Sequence, residues 1–253
     1  MRLSYTKLAL FEFCPYAYRF RYVERIPIPF SPRLTVGAIV HSVLHRAFER
    51  LRDGVRLTRA DLHELHATYW RDAPRLNRER FPDIWDRGHE LLDGFWSARG
   101  HAPGRPVMLE RRFRLRLRPD DAYTVEGVID RVDERSDGLE VIDYKSGSRP
   151  SELPGRLRTQ LHTYALALER GFDSAVSRLT VYYLADNQGI SQSPDPATAD
   201  DVLNRYQALA ERVGAADFKP TPGKHCRYCD YNDRCQYRWT DDAEESRETT
   251  VST

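Results

Sequence analysis

Three residues carry the types and spacing that could hold a divalent cation beside an ammonium. Asp130, Asp143 and Lys145 all lie in Tyr123–Ser148, YTVEGVIDRVDERSDGLEVIDYKSGS. Runs rich in Val and Ile flank Ser136-Asp137-Gly138, which predicts strand, tight turn, strand. A two-residue turn at Ser136-Asp137 sets Asp130 opposite Asp143, and a turn at Asp137-Gly138 sets it opposite Lys145. Either register leaves the three on one face, because strand side chains alternate with period two. The bland reading is a solvated strand face. Against it, the carboxylates sit within the apolar runs Val128-Ile129 and Val141-Ile142. A charge there is costly unless it is paired or bound to metal. The sharper expectation is a divalent cation held by the two aspartates with Lys145 beside it.

The cysteines form a second constellation. Cys226, Cys229 and Cys235 fall within ten residues, and Cys14 is the only other cysteine. Four thiolates suit zinc or an iron–sulfur cluster. One CxxC with a third cysteine six positions on and a remote fourth is untidy for zinc, so the spacing leans to [4Fe–4S]. His225 keeps a mixed zinc site open. The surrounding KHCRYCDYNDRC is too polar for buried, unliganded cysteines. Either metal would join the first helix to the last segment as a structural staple, where loop closure is long.

The remaining elements must position these groups. Ser4 can cap a helix through Leu8, Phe11 and Phe13, which Cys14-Pro15 interrupts. Tyr16–Tyr22 (YAYRFRY) is helical, either core with an Arg-rich rim or a surface for stacked bases. Val36–Leu51 carries one apolar stripe, with His41 next to it and His45 one turn on. By itself His41 reads as a packed or capped histidine. Thr58 and Asp61 open a helix in the capping-box manner, to about Asp72, and Phe81–Arg99 is another. From Met108 to Arg118 the period changes to two, with Phe113, Leu115 and Leu117 facing one way and Arg112, Arg114, Arg116 and Arg118 the other. That Arg face is either a solvated edge or a phosphate track. Pro119–Ala122 turns into the hairpin. Leu157–Leu168 is a helix ended by Gly171, and on it Gln160 and Tyr164 share a face. Ser177–Ala185 is a strand, Asn187-Gln188-Gly189 a turn, and Thr198–Val213 the last helix. This order is α+β, or α/β with a mixed sheet.

Composition limits the partners. The 253 residues carry 39 Lys and Arg against 38 Asp and Glu, so a nucleic-acid surface must be local. No window approaches the roughly 18 apolar residues of a membrane span. The N-terminus lacks a cleavage signal. The expectation is a cytoplasmic, reducing setting, where four cysteines mean metal or catalysis more often than disulfides. Thr240–Thr253 reads as a disordered tail. No GxxxxGK[ST] loop is present, so any ATP-driven motor is another polypeptide.

GVIDRVD, then VIDYKSG, then QLHTY together resemble the PD-(D/E)XK nuclease superfamily. With the four cysteines, the chain resembles the iron–sulfur branch: RecB- and AddB-type nuclease domains and CRISPR-associated RecB-like exonucleases. The resemblance covers Cys14 to Cys235 and implies a restriction-endonuclease-like core. A helical region spans about 1–105, the catalytic sheet core about 106–215 and the cysteine cluster 226–235, all in one domain over 1–239. It implies that His41, in GAIVHSVLH, joins Asp130 and Asp143 as a metal ligand, reversing its bland reading. Lys145 would orient or activate water, Gln160 and Tyr164 would support the lysine and contact the DNA backbone, and Tyr144 would pack. Cys14, Cys226, Cys229 and Cys235 would hold a [4Fe–4S] cluster, with zinc as the alternative. Hard oxygen ligands suit Mg²⁺ or Mn²⁺, and a histidine tilts the choice to Mn²⁺. The implied activity is a metal-dependent DNA exonuclease on single strands or ends, in repair, recombination or CRISPR adaptation. The alternative is a DNA-binding or assembly subunit of a CRISPR integration or helicase-nuclease complex, with an integrase or helicase as protein partner.

Overall fold

The computed structural model describes residues 1–73, 75–100, 104–117, 123–172 and 175–239. The expected tail over 240–253 and the turn at 119–122 lie outside them. In chain order the elements are β1 (Arg2–Leu3), α1 (Tyr5–Phe13), α2 (Pro15–Tyr18), a π-helical turn (Arg19–Val23), α3 (Pro32–Arg52), α4 (Arg59–Arg71) and α5 (Pro82–Arg99). Then follow β2 (Pro106–Arg116), β3 (Thr124–Arg135), β4 (Gly138–Lys145), α6 (Gly155–Phe172), β5 (Val176–Tyr183), β6 (Gln188–Gln192) and α7 (Pro196–Gly214). Two 3₁₀ turns, Lys224–Tyr228 and Asn232–Arg234, come last. No described helix is long and apolar enough to cross a membrane.

The chain packs as two compact units, one of Leu3–Phe30 with the residues from Asn204 onward, the other of Ser31–Leu203. In the first unit the Ser4 side chain accepts the Lys7 amide N–H at 3.2 Å, which starts α1. Pro15 cannot donate into that helix, so α1 stops and α2 begins at the proline. Ala17, Tyr18 and Phe20 are buried, and the Tyr231 ring packs on Phe20 while its hydroxyl donates to the Ile26 carbonyl at 3.0 Å. Tyr16–Tyr22 therefore follows the core alternative, with exposed Arg19 paired to Glu24 at the rim. Arg205 forks onto Glu12 at 2.7 and 2.6 Å, joining α7 to α1.

The second unit holds a mixed sheet. β3 pairs antiparallel with β2 and β4, β4 pairs parallel with β5 through the crossover helix α6, and β6 returns antiparallel on β5. The capping box of Thr58 and Asp61 is formed, and α3 starts from a Ser31 cap followed by Pro32. Val40, Val43, Leu44 and Phe48 of α3 and Leu91, Leu92 and Phe95 of α5 bury against Tyr144 and Tyr182 of the sheet. Each such side chain contributes about 1.5–3 kcal/mol on leaving water. Asp143 and Lys145 alternate with Tyr144, so they leave the opposite face, toward α6. β6 replaces the last part of the turn expected at 187–189. QGISQ has a single apolar residue, Ile190, so an edge strand there leaves no alternation to detect.

Candidate active site

The hairpin register is the one set by a turn at Ser136-Asp137, with Arg135 opposite Gly138. Gly138 has φ +134°, a conformation that favours glycine, and a Cβ there would lie 3.0 Å from the Ala175 carbonyl. The ladder runs from that pair to Arg131–Ile142. One step further it would set Asp130 opposite Asp143, but the pairing with β3 ends there, while β4 stays paired with β5 on its other edge, where Asp143 lies beside Val181. The Asp130 carboxylate instead accepts the Tyr144 backbone N–H at 3.0 Å. The two aspartates thus stand where β3 and β4 part.

Each carboxylate gains a cationic or proton-bearing neighbour. His41, on α3, places Nδ1 3.3 Å from Asp130 Oδ2. Lys145 Nζ lies 2.6 Å from Asp143 Oδ2 as an ion pair, although no hydrogen-bond donor is aligned with that oxygen. The ammonium also donates to Gln160 Oε1 at 3.2 Å, and Gln160 Nε2 donates to the Tyr164 hydroxyl at 2.8 Å. Gln160 and Tyr164 share one face of α6, so the helix delivers them as a pair. The structure brings Asp130 together with His41, and Asp143 with Lys145, Gln160 and Tyr164, all in the second unit.

Burial controls the charge state. Asp143 is 2 % exposed, and burial pushes its carboxyl up to about 6, with Lys145 pulling it down and the Asp130 charge pushing it further up. Asp130 is also raised by burial, against the pull of His41 and the Tyr144 N–H. Two carboxylates that resist ionising next to each other form a natural cation site. Among the described residues, no three or more His, Cys, Asp or Glu side chains are already arranged as a metal cage. The donor set of Asp130, Asp143 and His41 nonetheless has the hard-oxygen chemistry that Mg²⁺ or Mn²⁺ takes.

Two neighbours escaped the sequence reading. Tyr144 packs as expected, with its phenol pushed up to about 12 by burial, but its backbone N–H is also what fixes Asp130. Glu110 lines a small cavity with His41, His45 and Asp130, has φ +44°, and adds negative charge that raises Asp130. The signal was present in Arg111, which breaks the apolar alternation of Leu109, Phe113 and Leu115.

The four cysteines belong to the first unit. Cys14, Cys226, Cys229 and Cys235 are all free thiols and line one cavity with Phe13, Ala17, Phe20 and Tyr231. Burial raises the Cys229 thiol, and the other three cysteines add to that rise. Four thiols around one cavity match the donor set of a tetrathiolate group.

Comparison with known proteins places the chain in a family. The Gene 69 protein of Mycobacterium phage L5 is 31% identical over 134 residues, covering 50% of this chain and 43% of that protein. The chain therefore matches less than half the length of that relative. Two solved structures are similar, one of them with a TM-score above 0.5. The "Putative exonuclease" from Eubacterium rectale has a TM-score of 0.58 and 9% identity, covering 96% of this chain and 92% of that one. SSO0001 has a TM-score of 0.47 and 15% identity, covering 94% and 87%. The family model of the PD-(D/E)XK nuclease superfamily matches residues 2–236. With nearly the whole chain matched, and with the aspartates, lysine and glutamine gathered at the strand fork, the protein belongs to the PD-(D/E)XK nuclease superfamily.

Proposed function

We propose that this chain is a metal-dependent DNA exonuclease acting on single strands or DNA ends, in repair, recombination or CRISPR adaptation. The observation that carries the reading is the placement of Lys145 between Asp143 and Gln160, beside the paired Asp130 and His41. Asp130, Asp143 and His41 hold Mn²⁺ or Mg²⁺. When bound, such a cation neutralises phosphate charge and lowers the pKa of an attacking water.

The chain's own residues do the rest. Gln160, fixed by Tyr164, restrains the Lys145 ammonium, which presents N–H donors to the phosphate oxygens and to the attacking water. His41 and the Tyr144 N–H orient the Asp130 carboxylate before the cation arrives. In the other unit, Cys14, Cys226, Cys229 and Cys235 hold a [4Fe–4S] cluster as a staple between the chain's early and late segments. Their convergence on one cavity supports this reading.

End-labelled linear and circular single-stranded DNA, incubated with Mn²⁺, Mg²⁺ or chelator, tests the activity. The expected result is metal-dependent loss of the linear strand with the circle intact. Cleavage of the circle at the same rate overturns the exonuclease reading, and cleavage in chelator overturns the metal requirement.

A further inference from the structure

β2 carries a row of cations that the hydrolytic site does not use. Phe113 and Leu115 are buried, while Arg112, Arg114 and Arg116 are exposed. Their register partners are Val128, Glu126 and Thr124, so the three arginines share one face of the β2–β3 arm. Arg112 and Arg114 line a cleft there with Glu126 and Val128. Arg114 pairs with Glu126 at 2.8 Å and remains 67 % exposed. Among the described residues, neither Arg112 nor Arg116 has an acidic partner. β2 pairs only with β3 among them, so the row lies on an edge strand.

The row starts level with the site along the strand, on the face away from α6, since the Phe113 ring between the arginines packs on Tyr164 of α6 with centroids 5.9 Å apart. Glu110 falls between the pairs Leu109–Arg131 and Arg111–Ile129, level with Asp130. At about 3.4 Å per residue, Arg112, Arg114 and Arg116 stand roughly 7, 14 and 20 Å along the strand from that level. Their spacing of about 7 Å is on the scale of one nucleotide in an extended strand. Guanidinium forks bind phosphate oxygens in pairs, and such contacts position a strand without reading its sequence.

We propose that Arg112, Arg114 and Arg116 form a phosphate track that holds the backbone of single-stranded DNA next to the cleavage site. The proposal rests on the reading of that site as a DNA nuclease. Charges along an edge strand also prevent pairing with another edge, a role that does not produce a salt-dependent affinity for DNA.

The test measures binding of a labelled oligo(dT) by fluorescence anisotropy, in chelator, over a series of salt concentrations. It compares the full-length wild type with R112Q/R114Q/R116Q and R112K/R114K/R116K. The Gln variant is expected to bind about 10-fold or more weakly, and its log–log salt slope to fall by about 2, at roughly 0.7 for each phosphate no longer neutralised. The Lys variant, which keeps the charges, should retain most of the slope. Cleavage of the same oligonucleotide by the Gln variant should show a raised KM with kcat within about 2-fold of wild type, a result that also establishes folding. Wild-type affinity and slope in the Gln variant overturn the track. If wild type cleaves while this happens, the nuclease reading survives. If wild type neither binds nor cleaves DNA, that reading falls too.

Discussion

Lys145 Nζ stands 2.6 Å from Asp143 Oδ2, and the two residues leave the same strand face, separated only by Tyr144. Asp143 is 2 % exposed, so this ammonium is the main charge offsetting a carboxylate that water does not reach.

Asp143 makes the cation-free protein less stable as pH rises. Its carboxyl is pushed from 3.8 up to about 6, so the folded state holds the proton more tightly than the unfolded chain does. Its contribution is fully present below pH 4 and is lost as pH rises through about 6. A shift of that size corresponds to about 3 kcal/mol. In chelator, Asp143→Asn should therefore gain on wild type between pH 4 and 7.5, by on the order of 2–3 kcal/mol in urea unfolding. A constant difference across that range would remove burial as the cause.

His66 acts with the opposite sign. Its ring is fully buried against Trp85 and His89, both nitrogens lack partners, and burial lowers its pKa from 6.5 to about 4. Its contribution is present above pH 6.5 and is lost as pH falls toward 4, up to about 3 kcal/mol. His66→Phe should flatten this acid limb in urea unfolding between pH 6.5 and 4. An unchanged limb would mean that other groups set it.

Gly88 is the space that admits the His66 ring. A Cβ on Gly88 would lie 2.2 Å from His66 Nε2. Gly88→Ala should cost about 1–3 kcal/mol through overpacking, read as a lowered urea midpoint. A midpoint equal to wild type would show that the ring moves freely.

Gln160 and Tyr164 should affect turnover more than binding. Gln160→Leu removes the acceptor that restrains Lys145, and one such hydrogen bond contributes about 0.5–1.5 kcal/mol, so kcat should fall about 3- to 10-fold with KM little changed. Tyr164→Phe, which removes the hydroxyl that Gln160 donates to, should cost less. A rise in KM with kcat preserved, measured on end-labelled DNA, would instead make the pair substrate contacts.

The cysteines give a visible readout. Anaerobically purified protein should be brown and carry about four iron atoms per chain, and Cys14→Ser or Cys235→Ser should lose that absorbance. A colourless wild type with one zinc per chain would replace the cluster with a zinc site.

Much of the fold was legible where period and punctuation agreed. The Thr58–Asp61 capping box and the α3 stripe appear within a few residues of expectation, and the hairpin takes the first of the two turns left open, Ser136-Asp137. Parity alone placed Asp143 and Lys145 on one face, because period two does not depend on register. The parting of β3 and β4 at Asp130 was not legible. There the β3 ladder ends while β4 stays paired with β5 on its other edge, and Asp130 turns to a backbone N–H that any residue but proline at 144 would supply. The burial of His66 was hidden for a related reason. HELHATYW reads as an amphipathic helix, and only the missing side chain at Gly88, on a different helix, makes room for the ring.

The central claim is that Asp130, Asp143 and Lys145 cleave DNA with a divalent cation. Single-turnover degradation of end-labelled single-stranded DNA in Mn²⁺, by wild type, Asp130→Ala and Lys145→Ala, tests it most directly. The account predicts rapid loss by wild type and rates at least about 100-fold lower in both variants, as general acid–base and electrostatic groups contribute 10²–10⁴-fold. Equal rates in all three proteins would contradict it.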